Sequence, residues 1–167
     1  MPPTQPTGAR DLDARDRHIL RLVQRDATLA QAEIAREVGL STAAVHERLK
    51  KLEASGVIRR WTAVVDPVAL GVQVTAFVEV FLEHPRFEPA FLTRLRELDQ
   101  VLECHHVTGE FSLLLKVRVR DVAALQHLLL DQLGAHEGVR QTRTAVVLST
   151  EKEETFIAPG SAEGKQS

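Results

Sequence analysis

The chain has 167 residues, 44% hydrophobic and 26% charged, a balance that excludes a disordered or collagen-like polypeptide and suits one or two small domains, each with its own core. A single cysteine, Cys104, excludes an internal disulfide and fits a reducing cytosol, and no 18-residue apolar run is present to cross a membrane. The net charge of −2 hides an asymmetry: residues 1–60 carry 11 basic against 8 acidic side chains, net +3, and residues 61–167 carry 10 against 15, net −5.

Residues 1–10 hold three prolines and lack the basic-then-apolar order of a signal peptide, so a disordered N-terminus without a secretion signal is expected. A first helix is predicted to start at Asp13, which offers a carboxylate to the free backbone N–H groups, with Ile19, Leu22 and Val23 facing inward. A second helix over residues 31–38 buries Ile34, Ala35 and Val38. Gly39 then supplies the left-handed backbone of a tight turn, and Ser41 caps a third helix that buries Val45, Leu49 and Leu52 and ends at Gly56. The outward residues of this third helix are Thr42, Ala43, His46, Glu47, Lys50 and Lys51, with Arg48 toward the edge.

Two short helices joined by a glycine turn, the second with a basic outer surface, form the pattern of a helix-turn-helix. The excess positive charge sits in this same part of the chain, as binding to a phosphate backbone requires. A helix fits the major groove, where base edges present a readable donor and acceptor code. Ser41, Thr42, Ala43, His46 and Glu47 stand at the N-terminal, base-facing end. Arg48, Lys50, Lys51, Arg59 and Arg60 have the reach of phosphate ligands, which set register without reading sequence. The plainer alternative is a solvated amphipathic helix; the Gly39-Leu40-Ser41 turn between two correctly spaced helices favours DNA.

After residue 57 the chain reads as extended up to Val65, followed by a turn at Asp66-Pro67 and Gly71. Strict alternation then places Val72, Val74, Ala76, Val78, Val80 and Leu82 on one strand face. Gln73, Thr75, Phe77, Glu79 and Phe81 occupy the other, a face apolar enough to suggest subunit pairing. A helix with Phe91, Leu92, Leu95 and Leu98 inward comes next, then strands near residues 101–107 and 111–119 around the turn Thr108-Gly109-Glu110. Asp121 caps a second helix presenting Val122, Leu125, Leu128 and Leu129, and a last strand covers about residues 139–148. The order β-α-β-β-α-β is the split βαβ, ferredoxin-like unit. The fold class is therefore α+β: an N-terminal winged or plain helix-turn-helix domain plus a C-terminal ferredoxin-like βαββαβ domain. The expected divisions are 1–10 disordered, 11–60 DNA-binding, 61–71 hinge strand and linker, 72–152 ferredoxin-like, and 153–167 flexible tail.

Cys104-His105-His106 sets three possible metal ligands side by side, but neighbouring strand residues point to opposite faces. Only Cys104 and His106 share a face, and no Cys-x-x-Cys or His-x-x-x-His pair completes a site, so no metal and no cofactor is expected.

The run from Leu12-Asp13 through Asp16-Arg17 and Ile19-Leu20, then Glu33-Ile34-Ala35 with Val38-Gly39-Leu40-Ser41, then Val45, Arg48-Leu49, Leu52-Glu53 and Gly56-Val57-Ile58, resembles the Lrp/AsnC transcriptional regulators. The likeness continues through Leu102-Glu103-Cys104, Val107-Thr108-Gly109-Glu110-Phe111, residues 114–119, and Gly138-Val139 with Thr142-Arg143-Thr144, in all about residues 11–152. The resemblance implies a helix-turn-helix, a hinge strand, and a C-terminal ferredoxin-like (RAM) domain that dimerises and binds a small effector, usually an amino acid. Dimers of that kind often join into rings. The implied partners are a pseudo-palindromic double-stranded operator with half-sites about one helical turn (~34–36 Å) apart, a small-molecule effector and further copies of the chain, with no membrane. A prokaryotic cytoplasmic, nucleoid-associated location is expected.

In that family the effector lies between subunits around the turn after the second sheet strand. Here the resemblance points to His106, Thr108, Gly109, Glu110, Phe111 and Ser112, with Thr142 and Thr144 of the last strand. Such a turn offers backbone N–H groups to a carboxylate, and a side-chain oxygen holds an α-ammonium. Two departures stand out. Ser112 replaces the Asp many members carry after Gly-x-aromatic, which removes a partner for a charged amine unless Glu110 or a neighbour takes its place. Ala30 replaces a capping Ser or Thr, a loss of ~1 kcal/mol, so Thr28 is expected to cap and start the helix earlier. Two alternatives follow: an architectural DNA-binding protein without effector, and a sirohaem-decarboxylase-like enzyme in which His105 and His106 serve as acid or anchor groups. An enzyme would leave the basic face of residues 42–51 without a purpose, so the chain is read as a regulator and not an enzyme.

Overall fold

A computed structural model describes residues 12–160, which form two compact units. One comprises the described residues up to Ala63 together with 153–160; the other is Val64–Lys152. Residues 1–10, expected to be disordered, and the end of the tail from 161 lie outside the described residues.

In the first unit three helices enclose one core: α1 (Ala14–Arg25), α2 (Gln31–Val38) and α3 (Thr42–Ala54). Asp13 caps α1 through a bond of 2.7 Å from the Asp16 amide, and Asp16 accepts the Asp13 amide in return. The buried stripe of α1 is Ile19, Leu20 and Val23, with Leu22 only packed at the margin. Of the expected inward residues Ile19, Leu22 and Val23, Leu22 is only partly buried, and Leu20 is buried in its place, on the side of α1 where Val57, Ile58 and Thr155 lie. Ala30 provides no side-chain cap to α2. Its amide instead donates to Glu33, half of a capping box, and α2 starts at Gln31, not earlier. Thr28 is bonded to Asp26 and does not cap. Gly39 takes φ 64° and ψ 45°, the left-handed turn between α2 and α3.

Residues 57–63 follow α3 without forming any strand ladder, and Val64 and Val65 begin the second unit with most of their surface exposed. The hinge strand is therefore absent among the described residues of 61–71. A strand needs a partner backbone, and an apolar run cannot by itself say where that partner is. The turn is present: Asp66 accepts the Val68 amide, and Pro67 accepts from Leu70 and Val72.

The second unit is a four-stranded antiparallel sheet in the order β2-β3-β1-β4, with β1 (Val74–Leu82) central beside β3 (Leu113–Val119), and β2 (Val101–His106) and β4 (Val139–Val146) at the edges. That strand order, with antiparallel pairing throughout, is the ferredoxin-like arrangement. A 3₁₀ turn (Pro85–Phe87) leads into α4 (Glu88–Leu95), and α5 (Val122–His127) continues as a π-helical stretch over Leu128–Gly134. Ala76, Val78 and Val80 of β1 and the alternate residues Leu113, Leu115, Val117 and Val119 of β3 are buried with Phe91, Leu95, Leu98, Leu125, Leu128 and Leu133. Val122, expected inward, is 68% exposed at the start of α5, while Leu125, Leu128 and Leu129 meet the core as expected and Leu133 joins them. The π stretch inserts extra backbone per turn and so rotates the later residues relative to an ideal helix.

Candidate nucleic-acid interface and ligand turn

The chemistry of the first unit is concentrated on α3. Ser41 caps it, its hydroxyl accepting the Ala44 amide at 3.2 Å, so that side chain holds the helix end and leaves the approach to a duplex to its neighbours. Val45, Leu49 and Leu52 are buried behind the helix. Ala43, His46, Glu47, Lys50 and Lys51 are exposed at spacings that keep them away from that side, and Thr42 is exposed at the first position of the helix. Arg59 and Arg60 are exposed in the segment just beyond, where Trp61 Nε1 donates to Glu53 at 2.7 Å and ties that segment back to α3.

Arg48 behaves differently from the other cations. Its guanidinium donates to Asp13 and to Asp16, both at 2.7 Å, and so bridges α3 to the capped start of α1. These bonds raise the already high Arg48 pKa further, Asp16 contributing more than Asp13. The Asp13 carboxyl is held below the ordinary carboxylate range, first by the Asp16 amide and then by Arg48. A guanidinium satisfied by two carboxylates presents little net charge to a phosphate. The structure thus places Arg48 as a brace, against the expectation that it is a phosphate ligand.

In the second unit the turn between β2 and β3 is anchored at its end. The Ser112 amide donates to Val80 carbonyl at 3.0 Å, and its hydroxyl accepts the Leu82 amide at 3.4 Å. Phe111 packs edge-on against Phe81, ring centroids 5.9 Å apart. Gly109 takes φ 133°, and Thr108, Gly109 and Glu110 are exposed. Thr142 pairs with Val80 from the other side of β1, and Thr144 with Val78. The turn and Thr142 therefore flank the same end of β1, and Thr144 stands one step further along. His106 lies 3.6 Å from Glu88.

Cys104 pairs with Leu115 and His106 with Leu113, which puts both on the helix-covered side of the sheet, whereas His105 bonds Glu103 at 3.1 Å on the other side. The two histidines point apart and cannot jointly hold one tetrapyrrole. Burial, with the Glu88 carboxylate nearby, pushes the Cys104 thiol up, away from the thiolate form that binds metal. Among the described residues no group of three or more His, Cys, Asp or Glu is placed to hold a metal ion, and no helix is long and apolar enough to cross a membrane.

A three-helix unit whose last helix exposes lysines, followed in the chain by an antiparallel α+β unit, has the architecture of a helix-turn-helix DNA-binding protein with a second domain. Residues 12–59 match the winged helix-turn-helix DNA-binding family and residues 75–157 the Lrp/AsnC ligand binding domain. The leucine-responsive regulatory protein of Escherichia coli (strain K12) is 38% identical over 146 residues, covering 86% of this chain and 89% of its own. Among solved structures, the transcriptional regulator NMB0573 from Neisseria meningitidis, in complex with L-Met, has a TM-score of 0.83 at 31% identity, covering 87% of this chain and 96% of its own. The feast or famine regulatory protein Rv3291c from M. tuberculosis, complexed with L-methionine, has a TM-score of 0.81 at 33% identity, covering 89% and 99%. The chain belongs to the Lrp/AsnC family of transcriptional regulators, whose named relatives here are regulators and not enzymes.

Two interactions had no clear sequence signal. The Trp61–Glu53 bond joins residues eight apart across a break in helix period. A clasp between Gln24 and Ile157 joins residues 133 apart.

Proposed function

We propose that the protein binds a pseudo-palindromic operator as a homodimer or higher homo-oligomer, in the cytoplasm of a prokaryote and on its nucleoid, and that an amino acid bound between ligand domains of neighbouring subunits modulates it. The observation that carries the DNA reading is the exposed α3 face opposite Val45, Leu49 and Leu52. Thr42, Ala43, His46 and Glu47 read base edges, and Lys50, Lys51, Arg59 and Arg60 hold phosphates. Ser41 contributes its place at the helix N-terminus, where backbone N–H groups meet a phosphate, and Arg48 keeps α3 at a fixed angle to α1.

For the effector, the two L-methionine complexes among its structural relatives support an amino acid. His106, Thr108, Gly109, Glu110, Phe111, Ser112, Thr142 and Thr144 form the proposed site, with Glu110 the remaining carboxylate of the turn for an α-ammonium. The ligand acts only to the extent that it binds one subunit arrangement better than the other. Fluorescence anisotropy with labelled promoter duplex tests the DNA reading. Affinity is expected to fall steeply between about 50 and 200 mM salt and to exceed that for random duplex; a flat salt response or no sequence preference contradicts it.

The architectural reading, a DNA binder without effector, has one observation in its favour. The Ser112 hydroxyl is already bonded to the Leu82 amide, where it holds strand ends together. Isothermal titration against the twenty amino acids separates the two: heat with any of them supports the effector site, and silence with all supports the architectural reading.

A further inference from the structure

The chain leaves the second unit after Lys152, and the described residues from Glu153 belong to the first unit. The segment has little side-chain burial to hold it: Ile157 is 77% exposed, and only Phe156 and Pro159 are half-buried. What holds it is a backbone clasp. Gln24 on α1 donates from Nε2 to the Ile157 carbonyl at 3.0 Å, and its Oε1 accepts the Ile157 amide at 2.9 Å. One primary amide thereby makes both bonds that a neighbouring strand residue would make, and it fixes an extended segment without reading its side chains. The Arg25 guanidinium lies 5.6 Å from the Phe156 ring centroid and adds a cation–π contact one residue away. Together they close a cleft of about 400 Å³ in which Leu20 and Val23 of α1, and Ile58, Arg59 and Arg60 beyond α3, face Thr155 and Pro159. The match to the Lrp/AsnC ligand binding domain runs to residue 157, so its last residues are the ones clasped on the DNA-binding unit.

We propose that residues 153–160 are a latch: the extended segment that follows the ligand domain is clasped by Gln24 within the first unit, so the DNA-binding unit is joined to the ligand domain by two chain crossings instead of one. The first crossing follows α3 at residues 63–64; the second runs from β4 through 147–152 to α1. A segment tethered this way stays at high effective concentration, so a single clasp suffices to keep it seated. With the latch closed, the C-terminal end of α1 is held by the tail through Gln24 as well as by its core. The latch stands on its own contacts and does not require that the effector be an amino acid.

Hydrogen exchange on the full-length protein tests it. The Ile157 amide is expected to exchange at least about tenfold slower than an unstructured amide. Gln24→Leu, which keeps helix propensity and removes both bonds, is expected to abolish that protection. Ile157→Pro deletes the clasped N–H from the tail side and is expected to speed exchange in the C-terminal half of α1, while β3 (Leu113–Val119) exchanges as in the parent and certifies the fold. A latch variant that loses the fold is replaced by the parent alone, where an unprotected Ile157 amide overturns the proposal. So does protection that survives Gln24→Leu, or α1 exchange indifferent to Ile157→Pro. Protection that weakens on dilution of the protein places the segment on a second copy and overturns the intrachain latch.

Discussion

Arg48 shows how one side chain decides the geometry that a groove-reading helix needs. Its two 2.7 Å bonds to Asp13 and Asp16 cross from α3 to the capped end of α1, and Asp16 is the less exposed of the two carboxylates. Arg48→Met keeps the apolar stem but strands two acids beside each other. It is expected to lower stability by about 1 kcal/mol, in line with partly exposed ion pairs in a network, and to lower Tm in thermal unfolding accordingly. A variant with unchanged Tm would show that the bridge is ornamental. Gly138 carries a sharper constraint. Its φ is 83°, and a Cβ there would meet the Phe87 ring at 2.1 Å, a ring flanked by the Arg86 guanidinium. Gly138→Ala combines left-handed strain with overpacking and is expected to cost about 1–3 kcal/mol, read as a lowered urea midpoint with an unchanged slope. Such constraints were not legible in the sequence: Gly138-Val139 reads as the start of a strand, and nothing local announces an aromatic ring 51 positions earlier.

At the scale of elements, capping explains both what was readable and how the protein responds to acid. Asp13 and Asp121 each accept an amide of the first helical turn, from Asp16 and Ala124, at 2.7 Å. Asp26 takes the Thr28 hydroxyl and amide in the turn before α2. All three carboxyls sit below the ordinary range: Asp13 chiefly through the Asp16 amide, Asp26 through the Thr28 hydroxyl, and Asp121 through the Ala124 amide with Arg120 adding to it. A carboxylate with a lowered folded-state pKa stabilises the fold above its unfolded value of about 3.9, and that contribution disappears as the pH falls through the folded value. Tm is expected to be level from neutrality to about pH 5 and to decline below about pH 4; a Tm that rises on acidification would contradict this. The same short-range chemistry made α1, α2 and α3 legible, because Asp13, Gly39 and Ser41 act within a few residues of themselves. Period fails where the period itself changes. Leu125 and Leu128 are buried and Leu129 packs against the core as expected, whereas the π stretch adds Leu133 to the core, and Val122, at the first position of α5, is left in solvent. The segment 61–71 forms no ladder within this chain, and its sequence alone does not say which segment would pair with it, since strand identity belongs to a pair of segments. The Gln24–Ile157 clasp has no sequence signature at all beyond a glutamine on a helix.

At the scale of the molecule, the sheet of the second unit has one face filled by helices and one left open. On the open face Phe77 is 39% exposed, registered against Lys116 on one side and Ala145 on the other, and Phe81 is already covered by Phe111 and the Arg143 guanidinium. If two subunits pair through this face, Phe77→Lys sets cations at its centre and is expected to shift the protein toward monomer in sedimentation velocity, with far-UV CD unchanged; an unaltered dimer would move the interface elsewhere. Net charge follows the same division of labour, positive with the helix-turn-helix and negative with the ligand domain, which favours one orientation of approach to a duplex. The claim on which the rest depends is that α3 enters the duplex with its exposed face. Charge reversal of Lys50 and Lys51 together, followed by anisotropy with promoter DNA in the properly folded protein, tests it most directly. Affinity is expected to drop by at least about tenfold with a shallower salt slope; an affinity and slope equal to those of the parent would contradict it.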